Sequence, residues 1–246
     1  MTDIAKFISN LQITYDSGFG DDLAKDFYSP CLENCTQYKR FTGDFTSNVI
    51  FDWGKALTKI IERNDGQCIV KIIANPNLLE DDLQILKETL DPKVKERILE
   101  NHLENLIDEA EDLINKDLEQ KKIREVKLKI FAYLIVSKKL IIKFGFPKHV
   151  DRANVFHTKR GVFYFDNNLK VAFVGSSNET HGGHHANVES IDVYHNLDNE
   201  NKHLNKAEER FDLAWQGHAP GFDTVRVREE SLKKLKSYAP KNIKKF

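Results

Sequence analysis

The sequence predicts a mixed α/β fold, a central sheet with helices packed outside it, and three observations carry that expectation. Short apolar runs of strand length alternate with longer stretches of helical period. A strand, helix, strand succession between residues 40 and 74 reads as a βαβ unit, which calls for parallel pairing. Later apolar runs are separated by turn residues at hairpin spacing. With 246 residues the chain can bury a real core, and we read it as one domain, 1–246.

Taken in order, the opening to Cys35 reads as short helical segments. Arg40-Phe-Thr-Gly-Asp-Phe-Thr-Ser47 has the β-branched and aromatic content of a strand. Asn48 is placed to cap a helix whose Val49, Trp53, Leu57, Ile60 and Ile61 fall on one face. Asn64-Asp-Gly66 marks a turn before the buried-strand run Cys68-Ile-Val-Lys-Ile-Ile-Ala74, and Asn75-Pro-Asn77 ends it. Residues 80–138 form a helical insertion, with Leu103, Leu106, Ile107, Ala110, Leu113 and Ile114 at helix spacing among many charges. A solvated antiparallel pair is the plain reading of it, and a coiled-coil dimer arm is the sharper one. Strands are expected at 140–146, 155–159, 162–165, 169–174 and 190–194, with Asp166-Asn-Asn168 as a turn. An amphipathic helix at 207–215 and a basic C-terminal helix within 229–246 close the chain.

Composition narrows the function classes. A net charge of −1 gives no bulk attraction to nucleic acid, so a DNA-binding face would have to be a local patch. No apolar run approaches a membrane span, and the first residues lack a signal-peptide core, so we expect no membrane partner. Cys31, Cys35 and Cys68 are too few for a disulfide framework and fit a reducing, cytoplasmic setting. Cys31 and Cys35 resemble half a metal site, yet no second half follows. Two cysteines one helical turn apart is the simpler reading.

Three short elements carry chemistry. In His157-Thr-Lys159 the imidazole and ammonium would share one face of a strand. Gly175-Ser-Ser-Asn178 follows an apolar strand; its glycine permits close approach, and Ser176, Ser177 and Asn178 offer donors to an anionic oxygen. Glu189, at the mouth of the next strand, could hold one imidazole nitrogen and leave the other free to attack. Each element alone is commonplace, whereas all three in this order and spacing are not. The nearby Thr180-His-Gly-Gly-His-His-Ala186 offers His181, His184 and His185 in a Gly-rich loop. We read it as a substrate-contacting loop, with Ser177 and His181 as its contacts, because no carboxylate or cysteine completes a metal set.

His157-x-Lys159, Asp166, Gly175-Ser-x-Asn178 and Glu189 together resemble the HxK…D…GSxN…E signature of the phospholipase D superfamily. Six residues separate Lys159 from Asp166 where the usual pattern has four, and that longer hairpin resembles a nuclease-like branch. The branch occurs in bacterial restriction enzymes and at the N-terminus of DEAD/DEAH-box helicases. Asp26-Phe-Tyr-Ser-Pro-Cys-Leu, Tyr38-Lys-Arg-Phe-Thr-Gly-Asp-Phe-Thr-Ser47 and Phe211-Asp-Leu-Ala-Trp215 with Gly221 extend the likeness over residues 21–228. The charged tail 241–246 would sit where such proteins continue into a helicase.

The resemblance implies a phospholipase D-like mixed sheet flanked by helices. It also implies a nuclease of restriction or antiviral defence that needs no cofactor or metal. His157 would be the nucleophile, Lys159 the fixed charge, Ser176 and Asn178 the phosphate donors, Glu189 the partner of the imidazole, and Gly175 and Asp166 structural. Two HxK motifs are needed and one is present, so a homodimer with a composite site is implied. DNA is the expected substrate, with RNA open, and a helicase or ATPase in the same polypeptide or complex is the expected partner. A dormant nucleic-acid-binding or dimerisation module, and a phospholipase, are the competing readings. Lack of an amphipathic membrane helix counts against the last. Arg226, Arg228, Lys233, Lys234 and Lys236 form a basic end that could meet a phosphate backbone.

Overall fold

The computed structural model describes residues 2–43, 56, 69–75, 91–116, 119–148, 159–176, 188–197 and 201–241. Six α-helices and eight strands are found among them. Thr2 caps α1 (Asp3–Ser9) through a bond from Ala5 N, and β1 (Thr14–Asp16) follows. A π-helical turn, Leu23–Tyr28, runs into α2 (Ser29–Asn34), which begins on Ser29-Pro30, where proline's missing N–H costs nothing. Next come β2 (Gln37–Thr42) and β3 (Val70–Ala74). Of the helix expected between them only Ala56 is described, and it is helical and buried.

The insertion consists of α3 (Pro92–Lys116) and α4 (Lys121–Val136). Its apolar stripe, Leu99, Leu103, Ile107 and Ala110 included, is buried in the main core of the same chain. That covers the surface a coiled-coil arm would need, and only the charged face of α3 meets solvent. Then follow β4 (Leu140–Pro147), β5 (Lys159–Tyr164), β6 (Lys170–Gly175), β7 (Ser190–His195), α5 (Lys202–Trp215), β8 (Phe222–Arg226) and α6 (Lys233–Tyr238). The β5–β6 turn places Asn167 and Asn168 at φ 60° and 59°, a conformation asparagine tolerates.

The strands form one open sheet in the order β1-β7-β6-β5-β2-β3-β4-β8. β2, β3 and β4 pair in parallel, as the βαβ reading expects, and every other pairing is antiparallel. One face carries the large core with α1, α2, α3, α4 and α6; α5 covers the other. The apolar runs of β3 and β4 reflect burial on both faces. Among the described residues no helix is long and apolar enough to cross a membrane.

Candidate active site at one end of the sheet

Register brings four of the expected residues to the same end of the sheet. Lys159, which opens β5, lies across from Gly175, which closes β6. Gly175 in turn lies across from Ile191 near the start of β7, so Glu189 and Ser190 stand beside Gly175 and Ser176. The C-terminal ends of β2, β3 and β4 open toward the same side, since Phe41 pairs with Arg160 and the parallel strands follow β2. Carboxyl ends of parallel strands are where α/β sheets commonly seat ligands.

Gly175 is required by close approach. A Cβ there would fall 2.1 Å from the Ser190 carbonyl oxygen and 2.8 Å from Ile191 Cα. Ser176 then locks β6 to β7: its N–H donates to Ser190 O at 3.0 Å, and Ser190 N–H donates to Ser176 Oγ at 3.1 Å. A hydroxyl that accepts in this way keeps its own proton for donation to a ligand oxygen.

Glu189 is only 9 % exposed, and its backbone is clamped by Ser17. Ser17 N–H donates to Glu189 O (3.0 Å), and Glu189 N–H donates to Ser17 Oγ (2.9 Å). Ser17 is held in turn by β1, through the Asp16 to Ser190 register, and by a turn in which Asp16 accepts from Gly18 N–H at 2.8 Å. Sequence reading misses Ser17, because nothing local to Asp16-Ser-Gly-Phe points to a residue 172 positions away.

Arg40 is also missed. It is fully buried on β2, directly opposite Gly161. Gly161 lies two residues along β5 from Lys159 and shares its face, about 7 Å away along the strand. A Cβ on Gly161 would meet the Phe173 ring at 2.5 Å, so glycine there makes room for an aromatic layer. In that layer Tyr38 stacks on Phe163 at 4.3 Å, and the Arg40 guanidinium lies 4.7 Å over Phe173 and 5.8 Å over Tyr28. A buried positive charge thus underlies the sheet end that carries Lys159.

Asp166 is not part of this group. It sits in the β5–β6 turn, at the far end of a six-residue strand, about 20 Å from Lys159. Its carbonyl accepts from Leu169 N–H and shapes the hairpin. His157, Ser177, Asn178 and His181 lie outside the described residues, as do His184, His185 and Cys68. Among the described residues no three His, Cys, Asp or Glu side chains gather to hold a metal ion. Cys31 and Cys35 are buried one turn apart at the end of α2, and burial, then Cys35, pushes the Cys31 thiol well up.

Part of the basic C-terminal stretch is committed to the acidic helix α3. Lys234 pairs with Asp108 and Glu111, Tyr238 donates to Glu111, and Arg228 meets Glu96 at 2.5 Å. A different cation group stands on the α5 face, around Trp215. Lys143 donates to Trp215 O at 2.6 Å and lies 4.8 Å over the indole, which Lys71 also approaches at 5.7 Å. Arg226 is the cross-strand neighbour of Lys143. Burial, then the neighbouring charges of Arg226 and Lys71, lowers the Lys143 pKa. No protein-family model matches the chain, and no curated protein matches its sequence.

Proposed function

We propose that the chain is a metal-independent phosphodiesterase with a phospholipase D-like fold, a DNA endonuclease of bacterial restriction or defence type. The observation that supports this reading best is the meeting of Lys159, Gly175-Ser176 and Glu189 at one sheet end. The antiparallel order of three consecutive strands brings these residues to a common location, where a charge, a hydroxyl and a carboxylate stand together. The cations around Trp215 add a local patch suited to phosphates and a stacked base on a chain with no net positive charge.

A phosphodiester resists nucleophiles because its own charge repels them, so catalysis must gather cations and donors around the non-bridging oxygens. In this reading Lys159 supplies charge, while Ser176 and Asn178 supply hydrogen bonds. An imidazole nitrogen of His157 attacks phosphorus, and the bond from phosphorus to the departing strand oxygen breaks. The partner's His157, protonated, gives that oxygen its proton. The same imidazole then takes a proton from water as the water attacks the phosphohistidine, which releases His157 and a phosphomonoester. Glu189 fixes the tautomer of the attacking ring. Each chain carries one such set, so the working form is a two-fold homodimer with a shared site.

The test is cleavage of plasmid, single-stranded DNA and RNA in EDTA, wild type beside His157→Ala. Cutting by wild type alone is expected, and an active monomer at working concentration would overturn the dimer. The patch around Trp215 would serve equally a binding module without catalysis. DNA retained by both proteins and cut by neither would select that second reading.

A further inference from the structure

On the sheet face opposite Lys159, beneath the C-terminal half of α5, lies a cavity of ≈ 260 Å³. Its walls are largely apolar, from Phe41, Phe222, Ala214 and Ala219, and two arginines border it, Arg160 and Arg210. Arg160 follows Lys159 on β5 and therefore points to the other face, where the next residue on that side, Val162, packs under α5.

Among the described residues the two arginines face the cavity without counter-charge. Each neighbouring acid of α5 is engaged elsewhere: Glu208 with Lys170 at 2.8 Å, Glu209 with Lys206 at 2.7 Å, and Asp212 with Lys39 at 2.7 Å. Among the described residues no carboxylate forms an ion pair with Arg160 or Arg210, and Arg160 Nε is buried with no hydrogen-bond partner. Burial, and then Arg210, works against the Arg160 charge. Arg160 is half-buried at the edge of an apolar hollow and Arg210 approaches it from the exposed side, so an anion that joins them offsets both the desolvation of the first and the repulsion between the two. Their forked donors match phosphate or carboxylate oxygens. The volume falls just under the ~300 Å³ at which ligand pockets usually begin, so it suits one flat ring system and not an extended chain.

We propose that this cavity binds a small amphipathic anion, a phosphate joined to a flat apolar group, of nucleoside monophosphate size. The phosphate lies between Arg160 and Arg210, and the ring lies against Phe222 and Phe41. None of the residues of the Lys159 site takes part, so this site stands or falls independently of the phosphodiesterase reading. The ligand can be a free nucleotide or the 5′-terminal nucleotide of a strand, which share this chemistry.

The full chain would be titrated by calorimetry with 5′-dTMP, with 5′-phosphorylated (dT)4, with thymidine and with inorganic phosphate. At least one of the two nucleotides should bind about 10-fold or more tightly than thymidine or phosphate alone, since both halves of the site contribute. The tighter of the two names the source. Arg160→Gln and Arg210→Gln should each weaken that binding about 10-fold, and Lys206→Gln, on the same helix, should not. Arg210 is exposed, so its variant keeps the test valid even if Arg160→Gln fails to fold. Nucleotide binding no tighter than that of phosphate, or binding unmoved by Arg210→Gln, would overturn the proposal.

Discussion

Replacing Gly175 by alanine tests whether β6 and β7 meet as closely as the candidate site requires. The added methyl would lie 2.1 Å from Ser190 O, 2.7 Å from Ile191 Cγ2 and 2.8 Å from Ile191 Cα. Two of those three atoms are backbone, so no change of rotamer relieves the clash. The strands must part, and parting stretches both Ser176–Ser190 hydrogen bonds. Overpacking costs about 1–3 kcal/mol, here toward the upper end. Each weakened hydrogen bond adds up to about 1 kcal/mol. A total near 4 kcal/mol lowers the melting temperature of a chain this size by roughly 8–16 °C. Thermal unfolding followed by circular dichroism measures it, with Gly221→Ala as control, because a Cβ at Gly221 meets nothing within 4 Å. A Gly175→Ala protein melting within about 2 °C of that control, less than one kcal/mol of effect, would refute the reasoning.

Two further predictions concern charges under α5. Asp212→Ala should strand Lys39, whose ammonium bonds both carboxylate oxygens at 2.7 and 2.9 Å and whose side chain is only 9 % exposed. Because Asp212 itself is half-exposed, the expected loss is about 1–3 kcal/mol in urea unfolding, below the figure for a fully buried pair. Adding Lys39→Met should recover part of it, and no recovery would count against a stranded charge. Glu208 gives a pH signature. Burial raises its pKa, but bonds from Lys170 and Tyr164, with the charges of Lys170 and Lys39, outweigh that and hold it below the ordinary 4.5. A depressed carboxylate stabilises fully above 4.5, and the contribution is lost as pH falls through the lowered native value. Melting temperature should therefore drop between pH 5 and 3 more steeply in wild type than in Glu208→Gln, and parallel curves would show the pairing to be inert.

What the sequence revealed and what it hid divide by the range of the interactions. The runs at β3, β4 and β6 were legible because burial on both faces leaves an apolar stretch that needs no context. The helical period of α3 was legible because burial of one face only leaves an apolar stripe at helix spacing. β2 begins at Gln37, three residues before the expected start, because Lys39 is stabilised there by an aspartate 173 positions later. β1 and β8 escaped notice: they are short edge strands whose polar residues are held by their neighbours rather than by their own pattern. Lys159, Ser176 and Glu189 were readable as a set, since hairpin order alone brings those strand ends together. The clamp on Glu189 by Ser17, the burial of Arg40 against the rings of Tyr28 and Phe173 from two separate segments, and the arginine-lined cavity were not. Each depends on partners that only the completed fold assembles.

The place of β2 between β3 and β5 has a consequence for synthesis. Its partner β3 is made within about 30 residues, but its other edge must wait for β5, about 120 residues later. At about 5–20 residues per second, a ribosome leaves that edge open for roughly 6–24 s. An open strand edge invites pairing with other nascent chains. In Gln-Tyr-Lys-Arg-Phe-Thr two adjacent cations interrupt what would otherwise be an adhesive ribbon. Lys39 and Arg40, one salt-bridged and one entombed in the finished protein, are thus expected to guard the unfinished chain against aggregation.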